Sequence, residues 1–338
     1  VDVEAEAVGI HIQVMTVNLV YSKKSKQAKM SKTTLTTRRA FRRTDDQTPG
    51  APKVRLVTED LALPLTATQV LIKVHAVSLN YRDANIANGG NPWPVIPFGI
   101  PCNDAAGEVV DKGDQALMFR IGDRVSPIID TENLTGQEAT RSWLAADEDG
   151  VLADYIIFDQ TRLCKLPSYL SWVHASIIPC AGVTAWSALK GFGVGKSVLI
   201  QGLSLRPCVM EEHELTLKGT GGVSMFALKL ARAAGLKVIL TSSSDKKLED
   251  VCKQFPEPPI QTINYAQKPA WHEEVLRLTD GVGVDLVIEV GGTSTLLKSM
   301  KCTRRGGTIS QVGYLSKQAF DDADELLPTI IDRRIALR

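Results

Sequence analysis

The sequence predicts an α/β protein in two parts. A compact, mostly-β, partly barrel-like region occupies residues 31–170, and a doubly wound parallel sheet occupies residues 171–338. Three observations predict it. Before Pro167 the chain is a run of short alternating segments separated by polar turns, the pattern of strands with one buried face. After Pro167 apolar runs alternate with stretches of helical periodicity, as a parallel sheet with crossover helices requires. Between one such run and one such helix lies a glycine-rich turn, Gly219-Thr220-Gly221-Gly222-Val223-Ser224.

The composition is that of an ordinary soluble globular protein, with 338 residues, 44% hydrophobic and 23% charged, enough for two domains. A net charge of +1 gives no argument for a nucleic-acid or membrane partner, and no apolar run reaches transmembrane length. Cys102, Cys164, Cys180, Cys208, Cys252 and Cys302 are scattered without a CxxC pair. That spacing fits reduced thiols in a cytoplasmic protein better than a disulfide framework or a zinc knot.

Residues 1–30 read as a disordered or spurious extension. Ile10–Val20 is a short apolar patch leading into Lys23, Lys24, Lys26 and Lys29. No acid occurs from Val8 to Thr44, but Asp2, Glu4 and Glu6 make the start unlike a transit peptide. Met30 is read as the natural start. Val54–Val57, Gln69–Val77, Ala105–Val110, Arg124–Ile128 and Val151–Phe158 read as strands, and Asn88–Pro94 as a loop. Ser171–Gly191 reads as one helix capped by Ser171 and kinked at Pro179. Beyond it the order is strand Ser197–Gly202, helix Met225–Ala234 with Gly235 as its stop, and strand Lys237–Thr241. Then come helix Lys246–Phe255, strand Gln261–Asn264 and helix Trp271–Thr279. Strand Asp285–Val290, helix Leu296–Cys302 and strand Gly307–Val312 complete the series. Ligands of such a sheet bind at the C-terminal ends of its strands. That places Gly202, Ser242, Gly291 and Gly313 around one site.

Strand, glycine turn, helix and second strand make a unit suited to a dinucleotide pyrophosphate. Glycines admit the phosphates to the backbone, and the helix N-terminus offers unpaired N–H groups. Ser224 stands where the third glycine of that pattern belongs. An acid about 20 residues past the first glycine would bind a ribose 2′-hydroxyl. Here Thr241, Ser242 and Ser243 occupy the place, followed by Lys246 and Lys247. Hydroxyls and cations suit a 2′-phosphate, so NADP is expected in preference to NAD. The alternative is a solvated helix start with Ser244 or Asp245 as its cap. Leu203–Lys218 separates the first strand from its glycine turn and is read as an insert, the hypothesis being a retained intron. Closing a loop of that length costs only about 2.5 kcal/mol, so the domain can fold around it.

Further motifs occur in a definite order: Ser78-Leu79-Asn80-Tyr81-Arg82-Asp83, Gly107-Glu108-Val109-Val110, Gly122-Asp123-Arg124-Val125, Pro179–Trp186, Gly219–Ser224 and Val290-Gly291-Gly292. Together they resemble the medium-chain dehydrogenase/reductase superfamily, in its zinc-independent, quinone-oxidoreductase-like branch. The resemblance covers about Arg38 to Arg338. It implies a GroES-like catalytic domain followed by a Rossmann domain, with NADPH in the cleft between them. It also implies hydride transfer to a carbonyl, quinone or enone. Asn80 and Tyr81 would be the hydrogen-bond donors and Thr184 would lie near the carboxamide. Gly219, Thr220, Gly221, Gly222 and Val223 would line the pyrophosphate. Thr241, Ser242, Ser243 and Lys247 would serve the 2′-phosphate end. Gly291, Gly292, Val312 and Gly313 would admit the nicotinamide ribose.

Zinc-dependent relatives carry Cys where Asn80 stands and His-Glu where Asn103-Asp104 stands. One thiolate, Cys180, does not make a zinc site, so no metal is expected. Relatives are commonly homodimers and continue past Arg338, so a final Rossmann strand and a return segment are expected to be missing. Two other readings remain open: a non-catalytic NADPH-binding protein, and an inactive chain from a faulty gene assignment.

Overall fold

The computed structural model describes residues 14–15, 35–202, 221–313 and 323–338. The readings of Leu203–Lys218, Gly219 and Thr220, and of most of residues 1–30, lie outside them. The chain divides into two compact units, one built on Ile12–Cys180 and the other on Ala181–Arg338.

The first unit contains β1 (Val14–Met15), β2 (Thr37–Arg43), β3 (Val54–Asp60), β4 (Gln69–Ser78) and α1 (Tyr81–Ala87). It continues with β5 (Asp104–Lys112), β6 (Arg124–Pro127), β7 (Tyr155–Asp159), β8 (Leu163–Lys165) and α2 (Trp172–Ser176). One antiparallel sheet runs β1-β4-β5-β6-β8, with β7 also on β4, and β2 and β3 form a separate hairpin. Its core is built from inward-facing strand residues, among them Val70, Ile72, Val109, Val125 and Ile156, together with loop residues Ile100, Leu144 and Val151. Burial of such side chains contributes roughly 1.5–3 kcal/mol each. A β-rich first unit is what the alternating segments predict. The Val151–Phe158 segment narrows to Tyr155–Asp159.

In the second unit, α3 (Val183–Leu189) precedes β9 (Ser197–Gln201), α4 (Gly222–Ala233), β10 (Lys237–Ser242), α5 (Asp245–Gln254) and β11 (Gln261–Asn264). Then follow α6 (Trp271–Leu278), β12 (Val284–Glu289), α7 (Thr293–Cys302), β13 (Thr303–Gln311), α8 (Ala323–Arg333) and β14 (Ala336–Leu337). The strand order is β11-β10-β9-β12-β13-β14, every pair parallel. This is a doubly wound sheet whose order reverses between β9 and β12. Both faces are covered, so β9 and β12 read as unbroken apolar runs. Val198 and Ile200 pack into one core, Leu199 into the other.

Two expectations are corrected. The predicted helix Ser171–Gly191 is broken: α2 ends at Ser176, a π turn spans Ile178–Gly182, and α3 begins at Val183. Pro179 lies in that turn, where its missing N–H removes an α-helical bond. Ser171 does cap α2, its Oγ accepting from the His174 amide at 3.1 Å. The sixth strand expected to be missing is begun by Ala336 and Leu337, paired with Thr308 and Ile309 of β13. Two residues are too short to show a period in sequence. Among the described residues no helix is long and apolar enough to cross a membrane.

Candidate functional site

In the first unit the polar groups gather where β4 leads into α1. The β4–β5 register sets Asp104 opposite Ser78, two residues before the helix cap Asn80. Asn80 has extended backbone, and its amide donates to Asp83 Oδ2 at 2.7 Å. This is the returning half of a capping box. The Asn80 side-chain Nδ2 donates to Asp104 Oδ2 at 3.0 Å. Asn103 Nδ2 lies 3.5 Å from Asp104 Oδ1. Asn103, Asp104 and Cys102 are almost completely buried, and Cys102 adopts a left-handed backbone with φ 68°. Tyr81, the first residue of α1, is 38% exposed.

Burial of two acids side by side changes their titration. Burial raises Asp83 to about 6, opposed by the Asn80 amide, by Arg82 and by the Cys102 amide. Burial raises Asp104 to about 8, opposed by the Asn80 side chain and the Cys180 amide, with the nearby Asp83 adding to the rise. At neutral pH Asp104 thus holds its proton. Burial also pushes the Cys180 thiol up to about 12, reinforced by Asp104 and Asp83, although the residue as a whole is only half-buried. Both cysteines here are free thiols. The sequence reading missed Asp83 and Asp104 as participants. The spacing Asn80-x-x-Asp83 is the one signal that could have found the first.

In the second unit the sequence-predicted residues meet at the C-terminal edge of the sheet. Gly202 follows β9, its amide donating to Thr241 O at 2.9 Å. Gly221 caps α4, with Gly222 and Val223 in the first turn. A Cβ on Gly221 would meet no described atom within 4 Å. Ser224 explains its departure from the third glycine: its buried hydroxyl donates to the Gln201 carbonyl at 2.7 Å. Helix and strand remain close because the side chain bonds the strand end rather than clashing with it.

Thr241 and Ser242 end β10 buried, and Ser243 is half-buried. Ser242 Oγ accepts from the Ser244 amide at 3.3 Å, and Ser244 caps α5 by accepting from the Lys247 amide at 3.4 Å. Of the two predicted caps, Ser244 is the one used. Next to it a cavity of about 340 Å³ is lined by Asp245, Glu249, Asn264 and Lys268, at the outer edge of the sheet.

Past β12, Gly292 has φ +87°, a conformation that favours glycine. The Val312 and Gly313 amides donate to Glu289 O at 2.8 and 3.1 Å. A Cβ on Gly313 would lie 2.1 Å from Val290 O, so no larger residue fits without moving backbone. Thr184 lies half-buried on α3 in this same unit. Asn80 and Tyr81 belong to the other.

A doubly wound sheet with a glycine-capped helix at its switch region is an architecture on which nucleotides bind. The alcohol dehydrogenase GroES-like domain family matches residues 66–168 and the zinc-binding dehydrogenase family matches residues 222–337. A zinc-type alcohol dehydrogenase-like protein of Schizosaccharomyces pombe is 34% identical over 297 residues, 87% of this chain and 82% of that protein. Human quinone oxidoreductase is 28% identical over 271 residues, 78% of this chain and 70% of its own. The solved structure of an alcohol dehydrogenase superfamily protein from Novosphingobium aromaticivorans is similar with TM-score 0.66 and 25% identity, over 90% of this chain and 78% of that one. The chain belongs to the medium-chain dehydrogenase/reductase superfamily, oxidoreductases that use a nicotinamide cofactor.

Proposed function

We propose that this chain is an NADPH-dependent reductase of carbonyl, quinone or enone substrates that works without zinc. One observation carries the reading: at the positions of the zinc ligands in zinc-dependent relatives, this chain has an amide already donating to a buried carboxyl. Asn80 Nδ2 is engaged with Asp104, Asn103 supplies a second amide, and Cys180 supplies one thiol. Zinc takes thiolate, imidazole or carboxylate, at a catalytic site from three protein ligands, and one thiol with the single carboxyl Asp104 beside two amides falls short of that set. Among the described residues no cluster of three His, Cys, Asp or Glu side chains is placed to hold a metal.

The cofactor does fit. It supplies the hydride when bound. The first-turn amides Gly221, Gly222 and Val223 are suited to its pyrophosphate. Ser242 and Ser243, with Lys247 at the start of α5, offer hydroxyls and a cation to a 2′-phosphate, and the nearby Asp245 carboxylate is engaged by Asn264 and Gln267. Gly291, Gly292 and Gly313 keep two strand ends low enough for a ribose to approach. Thr184 is assigned to the carboxamide. Asn80 and Tyr81 are assigned to the substrate oxygen, where fixed donors stabilise developing negative charge.

The test is turnover of the full chain. With either cofactor offered to a panel of quinones, enones and aldehydes, NADPH should be consumed at least tenfold more efficiently than NADH. Binding of NADPH with no turnover on any member of the panel would favour a non-catalytic protein instead.

A further inference from the structure

Glu289 is the last residue of β12 and is completely buried. A carboxylate at such a place is costly unless donors surround it, and five do. Its Oε1 accepts from the Gly291 amide at 2.9 Å, the Gly292 amide at 3.0 Å and Thr295 Oγ1 at 2.5 Å. Its Oε2 accepts from Gln201 Nε2 at 2.7 Å and from the Ser299 hydroxyl. Gln201 ends β9, the neighbouring strand, and is buried as well. Its Nε2 also donates to Ser299 Oγ at 2.9 Å. Its Oε1 accepts from the Val290 amide at 3.0 Å and the Gly291 amide at 3.1 Å.

Three consecutive amides of the turn Val290–Gly292 are thus held by two side chains from the two strands flanking the switch point. The Glu289 carbonyl meanwhile receives Val312 and Gly313, so the turn after β13 is tied to the same residue. The Val290, Gly291 and Gly292 amides leading into α7 are paired inside the protein. Neither glutamate nor glutamine is needed to fill the core here. An aliphatic residue would do that, but would leave the turn amides unpaired.

We infer that Glu289 and Gln201 are positioning residues, holding the Val290–Gly292 turn in the one shape that admits the nicotinamide half of the cofactor. The inference rests on the cofactor reading above. It makes Glu289→Gln informative, because the new amide would set a donor against Gln201 Nε2 or against the turn amides. The readout is a ratio of two affinities that loss of overall stability does not move. The full chain and its variants are titrated with NADPH and with 2′,5′-ADP, which carries the 2′-phosphate and adenosine but no nicotinamide.

Glu289→Gln should weaken NADPH at least tenfold and leave 2′,5′-ADP within twofold. Thr295→Val, which removes one donor and keeps the side chain's shape, should weaken NADPH about threefold and likewise spare 2′,5′-ADP. Unchanged NADPH affinity, or equal losses for both ligands, in either variant overturns the positioning role. If Glu289→Gln does not fold, Thr295→Val decides by the same ratio. Failure of the unaltered chain to bind either ligand overturns the cofactor reading itself, and the inference falls with it.

Discussion

Lys247→Glu should lower NADPH affinity by about a hundredfold while changing NADH affinity by less than about threefold. The side chain starts in the first turn of α5, three residues after the cap Ser244, whose hydroxyl holds the Lys247 backbone amide rather than its ammonium. The cap therefore survives the substitution, and the helix start is kept. Loss of a hydrogen bond to a charged group is worth about 1.5–3 kcal/mol, and a new carboxylate beside a phosphate adds repulsion. Since about 2.7 kcal/mol is a hundredfold in affinity, the two effects together reach that size. NADH has a hydroxyl in place of the phosphate and meets neither. Titration of both cofactors against the variant checks the result. Equal losses would remove Lys247, and with it this 2′-phosphate assignment.

Asp104→Asn should make the protein more resistant to heat at alkaline pH, by an amount that grows with pH. In the folded state Asp104 titrates at about 8 and Asp83 at about 6, against about 3.9 in an unfolded chain. Between those values the folded protein binds protons that the unfolded chain has released. Stability therefore falls as pH rises from about 4, through the folded values, to about 8. The cause is burial of charge in the first unit's polar cluster. Asparagine cannot ionise, so its variant escapes the Asp104 part of that fall, which runs alongside that of Asp83 up to about 6 and is the whole of it from there to about 8. Its carbonyl can still accept from Asn80 Nδ2. The buried Oδ1 of Asn103, without a hydrogen-bond partner among the described residues, can receive the new N–H once that amide turns over.

The gain at pH 9 is on the order of 5 kcal/mol, or roughly 10–20 °C in the midpoint of melting. Near pH 5 the two proteins should melt much closer together. Melting curves from pH 5 to 9 supply the check. A variant less stable than the parent at pH 9 would mean that the ionised carboxylate stabilises the fold, contrary to this account.

The second unit was legible because its strands are buried on both faces. Gln261–Asn264 has the length the sequence predicts, Ser197–Gly202 ends one residue early at Gln201, and Asp285–Val290 is shifted by one residue to Val284–Glu289. The first unit hid more. β2, Thr37–Arg43, carries Arg38, Arg39, Arg42 and Arg43, a charge run that argues for a solvated segment. Long-range pairing gives it order: Arg38 and Arg42 share Glu59, and Arg43 donates to Ala145 O at 3.2 Å from full burial. β13 begins at Thr303 rather than Gly307, because its partner β12 carries it past Gly306 and Gly307, which on propensity argue against a strand. α1 has only seven residues and lacked a period long enough to see.

The candidate sites divide the same way. Glycines and hydroxyls at strand ends are visible in one dimension, since strand and turn lie next to each other in sequence. The partners that give them meaning are not. Asp104 comes 24 residues after Asn80, and Glu289 comes 88 after Gln201. No local pattern announces either pair. Only the register of β4 on β5, and of β9 beside β12, brings them within bonding distance.

The claim that amides replace a metal is tested most directly by NADPH oxidation with a quinone or enone substrate, before and after exhaustive treatment of the full chain with a zinc chelator. Rates that are the same in both samples, and unaltered when zinc is added back, are predicted. A rate abolished by the chelator and restored by zinc would contradict the account.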